Sequence, residues 1–141
     1  MGTFTIKYRK IALERGVIMI SEPVTKILIL EKTEVGETIL RVALKGHPFK
    51  PIFANTTVLA DQLLSKNPDI RIIAVTDCLA DSETLVSGDI LQWVAEKREK
   101  GFYVLAISPY SNCRQTLIGA GCDCGETRSR IVSILPAVST R

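Results

Sequence analysis

The sequence predicts an α/β domain in which helices cover both faces of a doubly wound, five-stranded parallel sheet. Three observations predict this fold. Short apolar runs alternate along the chain with segments whose apolar residues recur every three or four positions, so strand and helix periods follow each other. The run Ile70 to Thr76 is almost wholly apolar except for Arg71, which is typical of a strand buried on both faces. Several runs end in a small or charged residue, and in a parallel sheet such ends meet at one edge.

The composition fits one domain. The chain has 141 residues, a net charge of +3 and 46% hydrophobic residues, which is enough for its own core. Its charges are interspersed, so nucleic-acid binding is not indicated. The longest apolar runs are far shorter than the roughly 20 residues of a membrane-spanning helix, and no convincing leader cleavage site follows the first of them. We expect a cytoplasmic protein without a membrane segment.

An N-terminal extension, residues 1–23, is predicted to form a β-hairpin. Phe4 to Tyr8 alternate apolar and polar side chains at the period of a half-buried strand. Gly16 separates them from the apolar run Val17 to Ile20. The main domain is predicted to span residues 24–141.

In the first half of the main domain, two apolar runs predict strands, and each is followed by apolar residues at helical spacing. The strands are Ile27 to Leu30 and Pro51 to Ala54, and the helical stripes are Val35, Ile39, Val42 and Ala43, then Leu59, Leu63 and Leu64. Gly46 ends the first helix, because glycine readily takes the conformation of a helix terminus. Asn55 or Thr56 begins the second helix, and Asn67-Pro68 stops it.

The second half of the domain repeats this pattern. The strands are Ile70 to Thr76, Phe102 to Ile107 and a short one within Cys122 to Thr127, and the stripes are Leu91, Val94 and Ala95, then Leu117 and Ile118, then Ile131, Val132 and Leu135. Ser87 can cap the third helix, and Pro136 cuts the last one short. Strict alternation of strands and helices implies parallel pairing with right-handed crossovers. The prediction is a flavodoxin-like sandwich with an N-terminal β-hairpin extension.

Four cysteines and one histidine raise the question of a metal site or disulfides. They are Cys78, Cys113, Cys122, Cys124 and His47. A domain of this size folds without disulfides, so we predict reduced thiols that pack as small hydrophobic residues. A zinc site formed by Cys113, Cys122, Cys124 and His47 is the alternative, although the paired C-x-x-C spacing of structural zinc sites is missing.

The residues at four strand ends are suited to a shared polar site. They are Glu31 and Lys32, Asp77, Ser108 and Arg128. Because the carboxyl ends of parallel strands converge on one crevice, we expect all of them in one pocket. Each also has a simpler interpretation, as a solvated ion pair, a loop cap, a turn residue or a surface charge.

Over residues 24–136 these segments resemble the receiver domain of two-component response regulators. KILILEKTE resembles the segment with an acidic pair after the first strand, in which Glu31 keeps one acid and Lys32 replaces the other. VLAISPYS resembles the fourth-strand segment and places Ser108 at the switch hydroxyl position. GAGCDCGETR is similar to the turn before the family's lysine, which puts Arg128 in its place. The resemblance implies that Asp77 is the phosphoacceptor.

The spacing agrees with this resemblance. Intervals of 45, 31 and 20 residues separate Lys32, Asp77, Ser108 and Arg128, as in receivers. A second register, counted from Pro68-Asp69, would put Ala74 at the acceptor position. Gly125 replaces an aromatic residue that often rotates when receivers are activated.

The chemistry that the resemblance implies depends on which carboxylates the pocket contains. An aspartyl phosphate forms when the carboxylate attacks a phosphoryl group whose charge is neutralised by magnesium and a cation. The implied magnesium ligands are Glu31 and Asp77, but Lys32 places an ammonium where the metal requires an oxygen and would mimic its charge. Arg128 would bind the phosphoryl oxygens. The resemblance thus implies a non-enzymatic signalling module, phosphorylated at Asp77 or acting as a pseudo-receiver, with a histidine kinase or a downstream regulator as partner.

Two other hypotheses stay open. The first is a small flavodoxin-like enzyme, or a nucleotide or cofactor binder, for which neither a glycine-rich phosphate loop nor a nucleophile elbow is present. The second is an oligomerisation domain, for example a homodimer in which the N-terminal hairpin pairs with the edge strand of another chain.

Overall fold

The structure, a computed structural model, describes residues 10–14, 17–20, 24–76 and 88–136. The strands within these ranges are β1 (Lys10–Glu14), β2 (Val17–Ile20), β3 (Thr25–Leu30), β4 (Phe49–Ala54), β5 (Ile72–Thr76), β6 (Tyr103–Ile107) and β7 (Cys124–Glu126). The helices are α1 (Glu34–Leu44), α2 (Thr57–Lys66), α3 (Gly88–Glu99), α4 (Ser111–Ala120) and a 3₁₀ helix (Arg128–Ile134).

Five strands form one sheet in the order β4-β3-β5-β6-β7, and every neighbouring pair is parallel. Alternate residues of a strand point to opposite faces. Accordingly, Ile27 and Ile29 of β3 pack with α1 and the 3₁₀ helix, whereas Leu28 and Leu30 pack with α2, α3 and α4. The predicted doubly wound, flavodoxin-like fold is therefore confirmed.

The central strand and the helix boundaries follow the sequence closely. All five residues of β5 are buried, as the nearly unbroken apolar run predicts. Thr56 caps α2 by accepting a hydrogen bond from the Leu59 amide at 3.1 Å, which satisfies a donor that the helix cannot pair. Gly121 ends α4 with φ of 134°, a conformation that residues with a Cβ rarely adopt.

The inner face of α1 differs from the predicted stripe. Its buried residues are Gly36, Leu40 and Leu44, and Ala43 packs at the edge of the same core. Val35, Ile39 and Val42 of the predicted stripe are exposed by 72%, 39% and 67%. Two apolar stripes therefore run along this helix, and only one of them contacts the sheet. Ala95 of α3 is likewise exposed rather than buried.

The predictions for the N-terminal hairpin and for the last helix agree with the structure in part. β1 pairs with β2 in antiparallel fashion, and β2 coincides with the predicted run Val17 to Ile20. The predicted strand at Phe4 to Tyr8 lies outside the described residues. The predicted last helix is a 3₁₀ helix with a kink at Arg130. No helix in the described parts of the chain is long and apolar enough to cross a membrane.

Candidate functional site

The candidate site lies at the carboxyl edge of the five-stranded sheet. The register places Leu30 beside Val75, Thr76 beside Ile107, and Ile107 beside Glu126. Glu31 and Ser108 directly follow β3 and β6, and Arg128 comes two residues after β7, so these three predicted residues lie at the same edge of the sheet. The Thr76 hydroxyl donates to the Leu30 carbonyl at 2.7 Å and ties β5 to β3 there.

An ion pair between Glu31 and Arg128 forms the centre of this site. Arg128 Nε donates to Glu31 Oε1 at 2.7 Å, across 97 residues of sequence. The Glu31 side chain is fully buried, and only 14% of the Arg128 side chain is exposed. A carboxylate removed from water in this way needs a partner, because an isolated buried charge is very costly. The pair therefore neutralises the acid that follows β3.

The second oxygen of Glu31 faces the beginning of α1. Glu31 Oε2 accepts hydrogen bonds from the Thr33 amide at 3.2 Å and the Thr33 hydroxyl at 3.1 Å. Thr33 in turn caps α1, since its hydroxyl accepts from the Gly36 amide at 3.0 Å. The positive end of the helix dipole also favours a carboxylate at this position.

Gly36 is required by the position of this carboxylate. A Cβ on Gly36 would overlap the carboxyl group of Glu31. The glycine therefore stands inside α1 for lack of space rather than for backbone freedom. The sequence offers a signal, because an isolated glycine in a helical pattern often marks a close approach, but it does not reveal which group approaches.

The remaining acidic and basic candidates are less closely defined. Lys32 is exposed, and the salt bridge that the described residues show for Glu31 is to Arg128. Asp77, the candidate phosphoacceptor, lies outside the described residues, as do Ser87 and Cys78. Ala74, the acceptor of the second register, lies inside β5 beside Leu105 and not at a strand end.

Ser108 is fully buried, and its polar atoms take part in the loop between β6 and α4. Its amide donates to the Glu126 carbonyl at 3.0 Å, and its hydroxyl oxygen accepts from the Tyr110 amide at 2.9 Å. Its carbonyl accepts from Arg114 Nη1 at 2.6 Å. The predicted switch hydroxyl is thus part of a hydrogen-bonded turn.

Arg114 uses space beside Gly125 to reach this turn. A Cβ on Gly125 would lie 3.2 Å from Arg114 Cδ and 3.1 Å from the Ala106 carbonyl oxygen. Where the resemblance implies an aromatic side chain, this chain thus has a glycine against which the Arg114 side chain packs. Sequence reasoning missed Arg114, because nothing in its local pattern indicates that its guanidinium reaches back to Ser108.

Magnesium binding by Glu31 and Asp77 stays a prediction, because Asp77 lies outside the described residues, but the described ligand, Glu31, is already engaged. Magnesium prefers carboxylate oxygens and keeps several waters. Glu31 instead uses one oxygen for a guanidinium and the other for Thr33. Among the residues that the structure describes, no three His, Cys, Asp or Glu side chains are grouped as metal ligands. This also leaves the zinc alternative, with Cys113, Cys122, Cys124 and His47, without a grouped set of ligands.

The three described cysteines are free thiols. Burial, followed by the nearby Asp123, Cys124 and Cys113, raises the pKa of Cys122 to about 12. Tyr103 Oη lies 3.3 Å from Cys124 Sγ, and this hydrogen bond together with burial raises the pKa of Tyr103 to about 12. A neutral thiol with a raised pKa is a poor nucleophile, so Cys122 agrees with the predicted packing role.

Comparison with solved structures identifies the fold. A Mn²⁺-bound response regulator has a TM-score of 0.60 and 15% identity, over 82% of this chain and 97% of that one. An atypical orphan response regulator, described as having a phosphorylation-independent regulatory mechanism, has a TM-score of 0.56 and 18% identity, over 77% and 90%. The receiver domain of a Saccharomyces cerevisiae response regulator, crystallised with a histidine phosphotransfer protein, has a TM-score of 0.55 and 16% identity, over 74% and 79%.

Further matched structures are also response regulators or their receiver domains. No protein-family model matches the chain, and no curated protein matches it. The resemblance inferred from the sequence is thereby confirmed at the level of the fold: the chain has the fold of receiver domains.

Proposed function

We propose that this chain is a receiver-like regulatory module that acts through protein contacts and whose pocket is held by the Glu31–Arg128 ion pair. The fold supports a receiver-like protein. The buried ion pair supports a receiver-like protein that is not phosphorylated. In this proposal the chain is a pseudo-receiver that signals without phosphorylation of Asp77 and without an enzymatic activity of its own.

The charge balance of the pocket supports this proposal. A phosphorylated receiver needs an acid to hold the metal and a cation to bind the phosphoryl oxygens. Here the two groups suited to those tasks, Glu31 and Arg128, bind each other at 2.7 Å. A metal at Glu31 or a phosphoryl group at Arg128 would have to compete with a desolvated, charge-assisted hydrogen bond. Lys32 adds a positive charge where the family has its second acid.

The hydrogen bonds of Ser108 support the same function. In a phosphorylation switch the hydroxyl must be able to turn toward the phosphoryl group. Here its oxygen accepts from Tyr110, and Arg114 binds the carbonyl of the same residue. We infer that the loop between β6 and α4 keeps one conformation, which suits a module whose contact surface is permanently formed.

One matched structure supports a protein partner for this module. The matched receiver domain of the Saccharomyces cerevisiae regulator was crystallised with a histidine phosphotransfer protein. We propose that this chain likewise binds a protein of a phosphorelay, either a histidine kinase or phosphotransfer protein or a downstream regulator. Among the described residues, no feature favours the alternative of a nucleotide or cofactor binder.

The test is exposure of the full chain to acetyl phosphate, or to beryllofluoride, with magnesium. We expect neither a mass increase in the intact protein nor a change in the fluorescence of Trp93, the single tryptophan of the chain. We expect Lys32→Asp to gain a response, because it restores the missing acid, and Asp77→Asn to remove that gain.

A charge control accompanies this experiment. Lys66→Asp makes the same charge change at an exposed lysine in the last turn of α2 and should leave the protein unresponsive. Phosphorylation of the wild type that disappears in Asp77→Asn would overturn the pseudo-receiver proposal and make the chain an ordinary phosphoacceptor.

A further inference from the structure

The outer face of α1 carries an apolar stripe, defined by Val35, Ile39 and Val42. These side chains are 72%, 39% and 67% exposed, although residues of this type are usually buried. They are spaced at i, i+4 and i+7, so they form one continuous line of about 10 Å along the helix. The stripe faces away from the sheet, because Leu40 and Leu44 on the opposite side of the helix contact the core.

Opposite charges flank this stripe at its two ends. Glu34 is the first residue of α1, and Lys45 caps its carboxyl end. Both are exposed, and the structure records no ion pair between either of them and another described residue. They are about three helical turns apart, so they lie on the same side of the stripe. Arg41 is already engaged, since it pairs with Glu37 at 2.8 Å and stacks on Phe53.

We propose that the outer face of α1 is the interface of a homodimer in which two copies of α1 pack antiparallel around Ile39. In that arrangement the stripe covers itself, because Val35 of one copy lies near Val42 of the other. Glu34 of each copy meets Lys45 of the other, and the two helix dipoles oppose each other. The surface is therefore complementary to itself in charge as well as in hydrophobicity.

We assign a second copy of the chain as the partner that covers this face, because the face is complementary to itself in charge. A parallel arrangement would place Glu34 against Glu34 and Lys45 against Lys45, which is repulsive. A stripe of three side chains is small compared with the roughly 1,200 to 2,000 Å² buried in a stable interface. We therefore expect a reversible dimer whose population rises with protein concentration. This inference does not depend on the proposed function.

The first experiment measures sedimentation of the full chain from micromolar to millimolar concentration. The wild type should shift from monomer to dimer across this range, and Val42→Glu should weaken association at least tenfold. The matched control is Val58→Glu on α2, whose side chain is also 67% exposed but lies on the opposite face of the sheet. A wild type that stays monomeric throughout, or equal effects of Val42→Glu and Val58→Glu, would overturn the proposal.

The second experiment tests the antiparallel arrangement by exchanging charges. Glu34→Lys and Lys45→Glu should each weaken the dimer, and the double variant should restore it, because the opposite charges then face each other again. A double variant no better than the two single ones would rule the arrangement out. Circular dichroism of each variant checks that α1 is intact.

The N-terminal hairpin provides the competing interface. Met19→Glu in β2 should leave association unchanged. Loss of the dimer in Met19→Glu but not in Val42→Glu would assign the interface to the hairpin and refute the assignment to α1.

Discussion

At the scale of single residues, the molecule is organised around a carboxylate that cannot reach water. Glu31 is enclosed by Arg128, Thr33 and the backbone of Gly36. Each neighbour lowers the cost of burying this carboxylate. The guanidinium neutralises its charge, Thr33 donates hydrogen bonds to one of its oxygens, and the glycine leaves space for the carboxyl group. Stability and the proposed function thus depend on the same few atoms.

Removal of the cation should expose this dependence. Arg128→Met leaves Glu31 buried without its salt bridge, so we expect a loss of about 3–5 kcal/mol in the free energy of unfolding, measured with urea. The matched control is Arg130→Met, two residues away, whose pair with Glu126 is long and exposed; it should cost about 0–1 kcal/mol. Adding Glu31→Gln to Arg128→Met should recover part of the loss, because a neutral amide needs no cation. Equal losses in the two methionine variants would contradict this account.

The packing at Gly36 gives a second prediction. Gly36→Ala should gain roughly 1 kcal/mol from helix propensity but lose more by forcing Glu31 out of place, for a net loss of about 1–2 kcal/mol. Gly119→Ala in α4 is the control, because a Cβ there meets nothing within 4 Å. It should be neutral or stabilising in the same urea titration. A stabilised Gly36→Ala variant would show that the carboxylate is free to move.

At the scale of elements, strands could be predicted more reliably than helix faces. The run Ile70 to Thr76 predicts a strand buried on both faces, and every residue of β5 is indeed buried. In α1 the sequence offers two apolar stripes, and the β-branched one, with Val35 and Val42, is the outer one. The choice between them is set by Glu31, which requires Gly36 to face inward, and no local pattern contains that information.

Between elements, α2 and α3 are joined by a polar cluster on Asp61. Its Oδ1 accepts from Trp93 Nε1 at 3.0 Å and from Lys97 Nζ at 2.9 Å. Lys97 also lies 5.0 Å from the Trp93 ring and is itself buried. Because a buried ammonium needs a counter-charge, the position of α3 against α2 depends on this single aspartate.

Asp61→Ala should therefore destabilise the domain by about 1–3 kcal/mol and change the fluorescence of Trp93 in the folded state. The matched control is Asp69→Ala. Asp69 is about as exposed as Asp61, but its partner Lys26 is more exposed than Lys97 and also binds Asn67. We expect the control to cost less and to leave the fluorescence unchanged. Equal urea midpoints for the two variants would show that the cluster on Asp61 does not join the helices.

At the scale of the whole molecule, the topology brings distant residues together. Parallel pairing could be predicted from the alternating periods, and with it the placement of Glu31, Ser108 and Arg128 at one edge of the sheet. The pairing of Glu31 with Arg128 could not, because it depends on how the 3₁₀ helix packs against α1. The role assigned to Asp77 stays a prediction.

The stability of the folded domain should decrease in alkaline solution for a reason that the structure specifies. Cys122 and Tyr103 have pKa values raised from 9.0 and 10.0 to about 12. Above pH 9 the unfolded chain releases the Cys122 proton while the folded chain keeps it, so the free energy of unfolding falls as pH rises. Tyr103 adds the same effect above pH 10. Both contributions are fully present below pH 9 and lost toward pH 12, at about 1.4 kcal/mol per pH unit for the buried Cys122 thiol and at less than that for Tyr103, whose contribution is screened by solvent.

Urea titrations at pH 7, 9, 10 and 11 measure this slope directly. In Cys122→Ala, the free energy of unfolding should fall less steeply with pH from pH 9 upward. In Tyr103→Phe, it should fall less steeply only from pH 10 upward. Both expectations hold whatever each substitution does to stability at pH 7. The onset distinguishes the two groups, because each begins to matter at the pH where its unfolded form ionises. A Cys122→Ala curve parallel to that of the wild type between pH 9 and 11 would mean that the thiol reaches water in the folded protein, and the core around β6 and β7 would then be less closed than its packing indicates.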